Sequence, residues 1–258
     1  MKPREISICG LAAVRALFEK HPEAIRRLFF DEEMSRKLGA MTSALAKLRR
    51  VYRLVNAEEL EKISGTVHHG GVVAVIDEPI LGDVTEEQLE TWVANRAPLL
   101  ILDRIGNSHN LGAIARTAAF FGVEAIIIPD VPEQALPSES AYRVAEGGLQ
   151  YVSVWRVQDL PFFCRDLAQR YDVLGAAVSP VAQSVAAYLA DRSRSEFKSG
   201  RQFALVLGNE ETGLSTNVAA SCTAHVHLPG KTNQVESLNV SVAAGILMWE
   251  IWGRRLRG

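Results

Sequence analysis

Apolar residues recur at 111, 114, 115, 118 and 121, the spacing of one helical face, after an unbroken apolar run at 99–102 and a polar cluster at 103–110. The pattern predicts strand, loop and helix, with Gly122 ending the helix and another strand over 123–129. Two later apolar runs break off in the same way. Residues 203–207 run into Gly208-Asn-Glu-Glu-Thr-Gly213, and 224–228 run into a loop that reaches Asn239 before a helix over 240–252. Runs that are apolar throughout suit parallel strands buried on both faces, and ligands of open α/β sheets bind beyond the carboxyl ends of such strands. Polar residues at the edges of buried elements are destabilising unless used, so chemistry is expected at 110–116, 208–213 and 228–239.

Ahead of this lies a different pattern. Short β-rich runs at 6–9, 28–30, 51–54 and 72–76 alternate with helical spacing at 11–20, 34–48 and 57–64, an αβα layer pattern complete before residue 78. Three units are therefore expected. Residues 1–78 form a small domain, 79–96 a linker and a helix capped by Thr85, and 97–258 a larger α/β domain. In the larger domain a helix from about 140 ends at Gly147-Gly148. A strand at 152–155, a helix at 160–170, a strand at 173–177 and a polar surface helix within 184–197 follow.

The last helix is apolar on almost every side, through Val240, Val242, Ala243, Ile246, Leu247, Met248, Trp249, Ile251 and Trp252. Such a helix must be buried on several sides. A second copy of the chain would supply that cover, and a homodimer is expected; the alternative is a central helix of a monomer.

Composition narrows the class. At 258 residues and 48% apolar content the chain can bury a full core. Cys9, Cys164 and Cys222 show neither metal nor disulfide spacing, which fits reduced thiols in a cytoplasmic protein. His225 and His227 share a strand face without further ligands nearby, so no metal is expected. The amino terminus leads into a short strand with no long apolar segment, and no run reaches membrane-spanning length, so no membrane partner is expected. The net charge of −2 hides an uneven distribution: residues 1–55 hold 12 Lys or Arg against 6 Asp or Glu. Arg26, Arg27, Lys47, Arg49, Arg50 and Arg53 are candidate phosphate contacts, or else ordinary solvated helix faces.

Asn110-Leu-Gly-Ala-Ile-Ala-Arg116-Thr, Leu207-Gly-Asn-Glu210-Glu-Thr-Gly-Leu-Ser215 and Ser237-Leu-Asn239-Val-Ser-Val-Ala resemble the three motifs of the SpoU/TrmH-type RNA 2′-O-methyltransferases of the SPOUT superfamily. Each motif alone is weak, but the three occur in order at strand ends. Ile6-Ser-Ile-Cys-Gly10 and His68-His-Gly70-Gly-Val-Val-Ala-Val75 are similar to the small substrate-binding domain that precedes the catalytic one in this family. The resemblance implies an α/β protein: a C-terminal, mainly parallel sheet with a deep trefoil knot behind a small αβα (L30e-like) domain. It also implies S-adenosyl-L-methionine as cofactor and RNA, tRNA or rRNA, as partner. Two departures stand out. The third motif has Pro229-Gly-Lys-Thr-Asn-Gln-Val235, about one residue longer than usual, and the first has Asn107-Ser-His109 where Asp-Pro-x is frequent.

Carried over by motif, Gly208, Leu228 and Leu238 hold the cofactor, with backbone around Ala176 and Ala177. Arg116 takes the central catalytic place. A guanidinium stays protonated far above neutral pH, so binding a phosphate and stabilising a developing alkoxide suit it better than acting as base. Asn110 either caps the helix from Leu111 or joins the site, or does both. Glu210 is expected to orient Arg116 or the ribose. Ser237 is expected to cap the last helix, with Asn239 in its first turn and free for substrate or Arg116. The alternative function is a knotted RNA-binding or ribosome-assembly factor without catalysis. A dinucleotide oxidoreductase would need a Gly-x-Gly-x-x-Gly after a strand, which is missing.

Overall fold

The computed structural model describes residues 3–177, 181–194, 201–231 and 237–254. Its first sheet is built from β1 (Glu5–Cys9), β2 (Ile25–Phe30), β3 (Val51–Leu54) and β4 (Val72–Asp77), interleaved with α1 (Leu11–Lys20), α2 (Glu32–Ser35), α3 (Gly39–Lys47) and α4 (Ala57–Ser64). The strand order is β1-β4-β2-β3. Along β4 the side chains alternate: Val72, Ala74 and Ile76 join the core that includes Val14, Leu17 and Met41, whereas Val73 and Val75 pack with Leu60 of α4. Two buried faces make the expected αβα layers.

The single helix expected over 34–48 is two helices. Asp31 caps α2 by accepting from the Met34 backbone, and the chain re-enters a helix only at Gly39. Between them Leu38 turns into the core, 1% exposed, with φ −111. Burying that one side chain outweighs continuing a helix into a glycine.

The second sheet takes β5 (Gly82–Asp83), α5 (Glu86–Asn95), β6 (Leu99–Asp103), α6 (Ser108–Phe120), β7 (Ala125–Pro129), α7 (Glu139–Ala145), β8 (Ser153–Val157), α8 (Leu160–Leu167), β9 (Asp172–Ala176), β10 (Gln183–Ser184), α9 (Val185–Arg194), β11 (Phe203–Gly208), α10 (Thr216–Ala219), β12 (Ala224–His227) and α11 (Val240–Ile251). Eight strands run in the order β10-β12-β9-β11-β6-β7-β8-β5, and every pair is parallel. Both faces are covered. Leu100, Leu102, Ile126, Leu205 and Leu207 pack with α6 and α11, while Leu99, Ile101, Ile127, Ala204 and Val206 pack with α5 and α8.

The stretch read as a linker is partly structural. Gly82 and Asp83 pair with Trp155 and Arg156 of β8, and Trp92 of α5 stacks edge-on against Trp155 at 5.8 Å. Thr85 caps α5 as expected, accepting from the Gln88 backbone. The chain that would thread the expected knot between β12 and α11 includes residues 232–236, outside the described residues, as does part of the altered 229–235 loop.

From β6 the chain steps outward through β7 and β8, then returns on the other side for β9, and β11 inserts between β9 and β6. The chain leaving β6 therefore goes on to β7 and that leaving β11 to β12, in opposite directions along the sheet. That divergence is the switch point where open sheets form a crevice.

Candidate active site

Asp103 ends β6 as a buried carboxylate, 3% exposed. Its Oδ2 accepts from the Ser215 backbone at 2.6 Å and its Oδ1 from Arg104 Nε at 3.0 Å. Arg104, at a left-handed φ of 61, reaches the Gly213 carbonyl with Nη2, while Asn209 Nδ2 donates to the Arg104 carbonyl at 2.9 Å. Asn209 also folds its own loop, its Oδ1 accepting from the backbones of Glu211 and Thr212. At Gly208 the loop closes so tightly that a Cβ would lie 2.3 Å from the Gly213 carbonyl carbon. Only glycine fits there. The loops after β6 and β11 are thus zipped together, which holds Glu210 over the start of α6.

Asn107, not Asn110, caps α6, accepting from the His109 backbone at 2.8 Å. The apolar pattern placed the helix start at Leu111, but Ser108, His109 and Asn110 are its first turn. Asn110 is thereby freed for the site: its Nδ2 donates to Glu210 Oε1 at 2.6 Å and its Oδ1 accepts from Asn239 Nδ2 at 3.1 Å. Asn239 likewise departs from expectation. It is itself the cap of α11, accepting from the Ser241 backbone at 2.9 Å, with Ser237 exposed two residues before it. One amide both starts the helix and bonds the site. Asn110, Glu210 and Asn239 thus meet at the amino ends of α6 and α11, whose dipoles favour the Glu210 carboxylate there.

Arg116 does not join this cluster. Six residues of α-helix separate it from Asn110 by about 9 Å along the axis and about 120° around it. The expected contact with Glu210 is not formed; Arg116 Nη2 instead pairs with Glu146 Oε2 at 2.9 Å. Both line an open depression of about 750 Å³ with Thr117, Phe120, Tyr151 and Gly245. Glu146 was not visible as a site residue in the sequence, where it is one more charge after a helix.

Residues expected to hold the cofactor end three neighbouring strands. Ala176 ends β9 with Ala177 after it, Gly208 ends β11 and Leu228 follows β12, with Leu238 51% exposed before α11. Small side chains that leave backbone groups accessible, with aliphatic Leu228 at the neighbouring strand end, fit an adenosyl group.

The front domain is less basic than its composition. Arg26 pairs with Asp77, Arg27 with Glu5 and Arg53 with Glu59, while Arg50 donates to the Glu23 carbonyl. Lys47 and Arg49 are exposed at the end of α3, beside β3 with its exposed Val51, Tyr52 and Leu54.

The fold is that of the SpoU methyltransferases: a crystal structure of AviRb from Streptomyces viridochromogenes in complex with AdoMet superposes with a TM-score of 0.70, covering 98% of this chain and 91% of that one at 22% identity. The chain belongs to the SpoU rRNA methylase family, whose model matches residues 97–249, and an RNA 2′-O-ribose methyltransferase substrate-binding model matches residues 7–81. An uncharacterized tRNA/rRNA methyltransferase of Haemophilus influenzae is 37% identical over 153 residues, 59% of this chain and 42% of that one. The 23S rRNA (guanosine-2′-O-)-methyltransferase RlmB of Acinetobacter baylyi is 31% identical over 257 residues, 96% of each chain.

Proposed function

We propose that the protein transfers a methyl group from S-adenosylmethionine to a ribose 2′-hydroxyl of rRNA or tRNA, with guanosine in 23S rRNA the first substrate to test. The observation that carries this reading is the Asn110, Glu210 and Asn239 cluster, which joins all three motifs at the switch point of the sheet.

Bound S-adenosylmethionine supplies an electrophilic methyl group, and the protein's task is alignment. Ala176, Ala177, Gly208, Leu228 and Leu238 line the cofactor's place. Asn110, Glu210 and Asn239 fix the ribose through a hydrogen-bonded network whose members orient one another, and Ser237 stands beside them. Arg116, which stands outside that network on another face of α6, binds the phosphate next to the ribose, and its charge favours the oxygen as it loses its proton. The unit at 1–78 presents RNA to the unit at 97–258, with 79–96 between them, Lys47 and Arg49 exposed at the end of α3 and Arg26, Arg27, Arg50 and Arg53 in its paired surface.

The same reading includes a knotted carboxyl-terminal region, a homodimer and a cytoplasmic location, where ribosomal RNA is found. Support for the dimer is an apolar face shared by two packed helices: Phe120 of α6 is 80% exposed, and Val242 and Ile246 of α11 are 51% and 40% exposed. Spaced by four residues, Val242 and Ile246 form one stripe.

The test is transfer of a labelled methyl group from S-adenosylmethionine to ribosomal RNA by the purified protein, followed by nucleoside analysis. Label in a 2′-O-methylnucleoside is expected. Label in a base refutes the reaction class, and binding of RNA without transfer supports a catalytically silent RNA-binding factor.

A further inference from the structure

Backbone geometry, rather than a chance surface encounter, brings Glu146 to Arg116. Glu146 follows α7 with φ 44, a left-handed conformation disfavoured for any residue with a side chain. Two residues on, a Cβ at Gly148 would lie 2.6 Å from Arg116 Cα and 2.9 Å from the Ala115 carbonyl oxygen. The turn after α7 is thus pressed onto the α6 backbone at Arg116 itself, and the left-handed residue just ahead of it delivers a carboxylate to that guanidinium at 2.9 Å. The two side chains are 56% and 53% exposed, and an ion pair so wet adds little to folding stability. A left-handed residue is a common way to end a helix, and the Glu146 amide bonds the Arg143 carbonyl there; what folding stability does not account for is the carboxylate it sends to Arg116.

Function does. A long arginine side chain loses considerable rotamer freedom when it is fixed, and an anchor already made in the free protein removes that loss from the reactive complex. Glu146 engages one nitrogen of a group with five N–H donors, which leaves the others for RNA. We propose that Glu146 is a positioning residue for methyl transfer, holding the Arg116 guanidinium in the orientation in which it meets the phosphate beside the reacting ribose. This rests on the reading of Arg116 given above. A carboxylate so placed repels RNA if it acts at all on binding, so its effect belongs in turnover and not in affinity.

The test compares full-length E146Q, E146D, E146G and R116A in steady-state methyl transfer, in RNA binding without cofactor, and in thermal unfolding. E146Q is expected to lower kcat about tenfold with KM for RNA unchanged or lower, since only a transition-state contact is removed. E146D, which keeps the charge, should retain more activity than E146Q. Glycine is at ease at φ 44, so E146G should unfold no earlier than wild type and still lose kcat, a separation that a merely structural role would not produce. RNA affinity of E146Q and E146G without cofactor should match or exceed wild type. Wild-type kcat in E146Q beside an inactive R116A overturns the role of Glu146 and leaves that of Arg116 standing; a fully active R116A overturns the reading of Arg116 instead.

Discussion

Asn110 and Glu210, a hundred residues apart, are joined by a 2.6 Å hydrogen bond from Nδ2 to Oε1 that closes the crevice between β6 and β11. The bond is exposed, so its value to folding is small, of the order of 1 kcal/mol. Asn110→Ala and Glu210→Ala should each leave the melting temperature within a few degrees while lowering kcat about ten- to hundredfold, read by steady-state methyl transfer.

Asn239 separates two duties. Its Oδ1 caps α11 and its Nδ2 bonds Asn110. Asn239→Ala should cost about 1 kcal/mol in urea unfolding as well as activity, because the cap is lost. Asn239→Asp keeps an acceptor for the Ser241 backbone but no donor for Asn110. It should unfold close to wild type and still be impaired in transfer.

Within the basic front segment, RNA affinity should follow exposed cations outside ion pairs rather than the paired ones. Replacing Lys47 and Arg49 by Ala should weaken RNA binding and reduce the salt slope by about 2, measured by titration at several salt concentrations. Arg26 and Arg27, held by Asp77 and Glu5, should matter less to that slope.

Phe120→Glu combined with Ile246→Glu should convert the proposed dimer to a monomer in sedimentation without unfolding the chain, because both side chains are exposed within one chain. A wild-type chain that sediments as a monomer would remove the dimer from the account.

The three motifs were legible because each couples a short apolar run to a polar loop, a contrast that local pattern reading detects. Thr85 as a cap was legible for the same reason. What stayed hidden is set by distance along the chain. Asp103 looks like the end of a strand, yet it bonds the Ser215 backbone 112 residues later. Glu146 reaches Arg116 only because Gly148 admits the α6 backbone, and no local signal marks it. Asn209 had a local signal, an Asn after Gly in a loop, the kind of residue that builds an Asx turn. The cap of α6 was misplaced because its polar first turn looks like loop, and that of α11 because Ser237 and Asn239 are both good capping residues two positions apart.

Burial sets a pH limit on stability. It pushes the Cys9 thiol up from the usual 9.0 to about 11 and the Cys222 thiol to about 12, and raises Cys164 as well. The folded state holds these protons more tightly than the unfolded one. Their contribution is complete below pH 9 and is lost as pH rises from there through about 11 for Cys9 and about 12 for Cys222. Urea midpoints should fall over that window, and native thiols should resist alkylation at neutral pH, since the thiolate is the reactive form.

Mapping alkali-resistant ribose linkages in total RNA from cells with and without the protein tests the central claim most directly. The account predicts one or a few positions in ribosomal or transfer RNA that lose their 2′-O-methyl group when the protein is absent and regain it with wild type but not with R116A. An unchanged map, or full restoration by R116A, would contradict it.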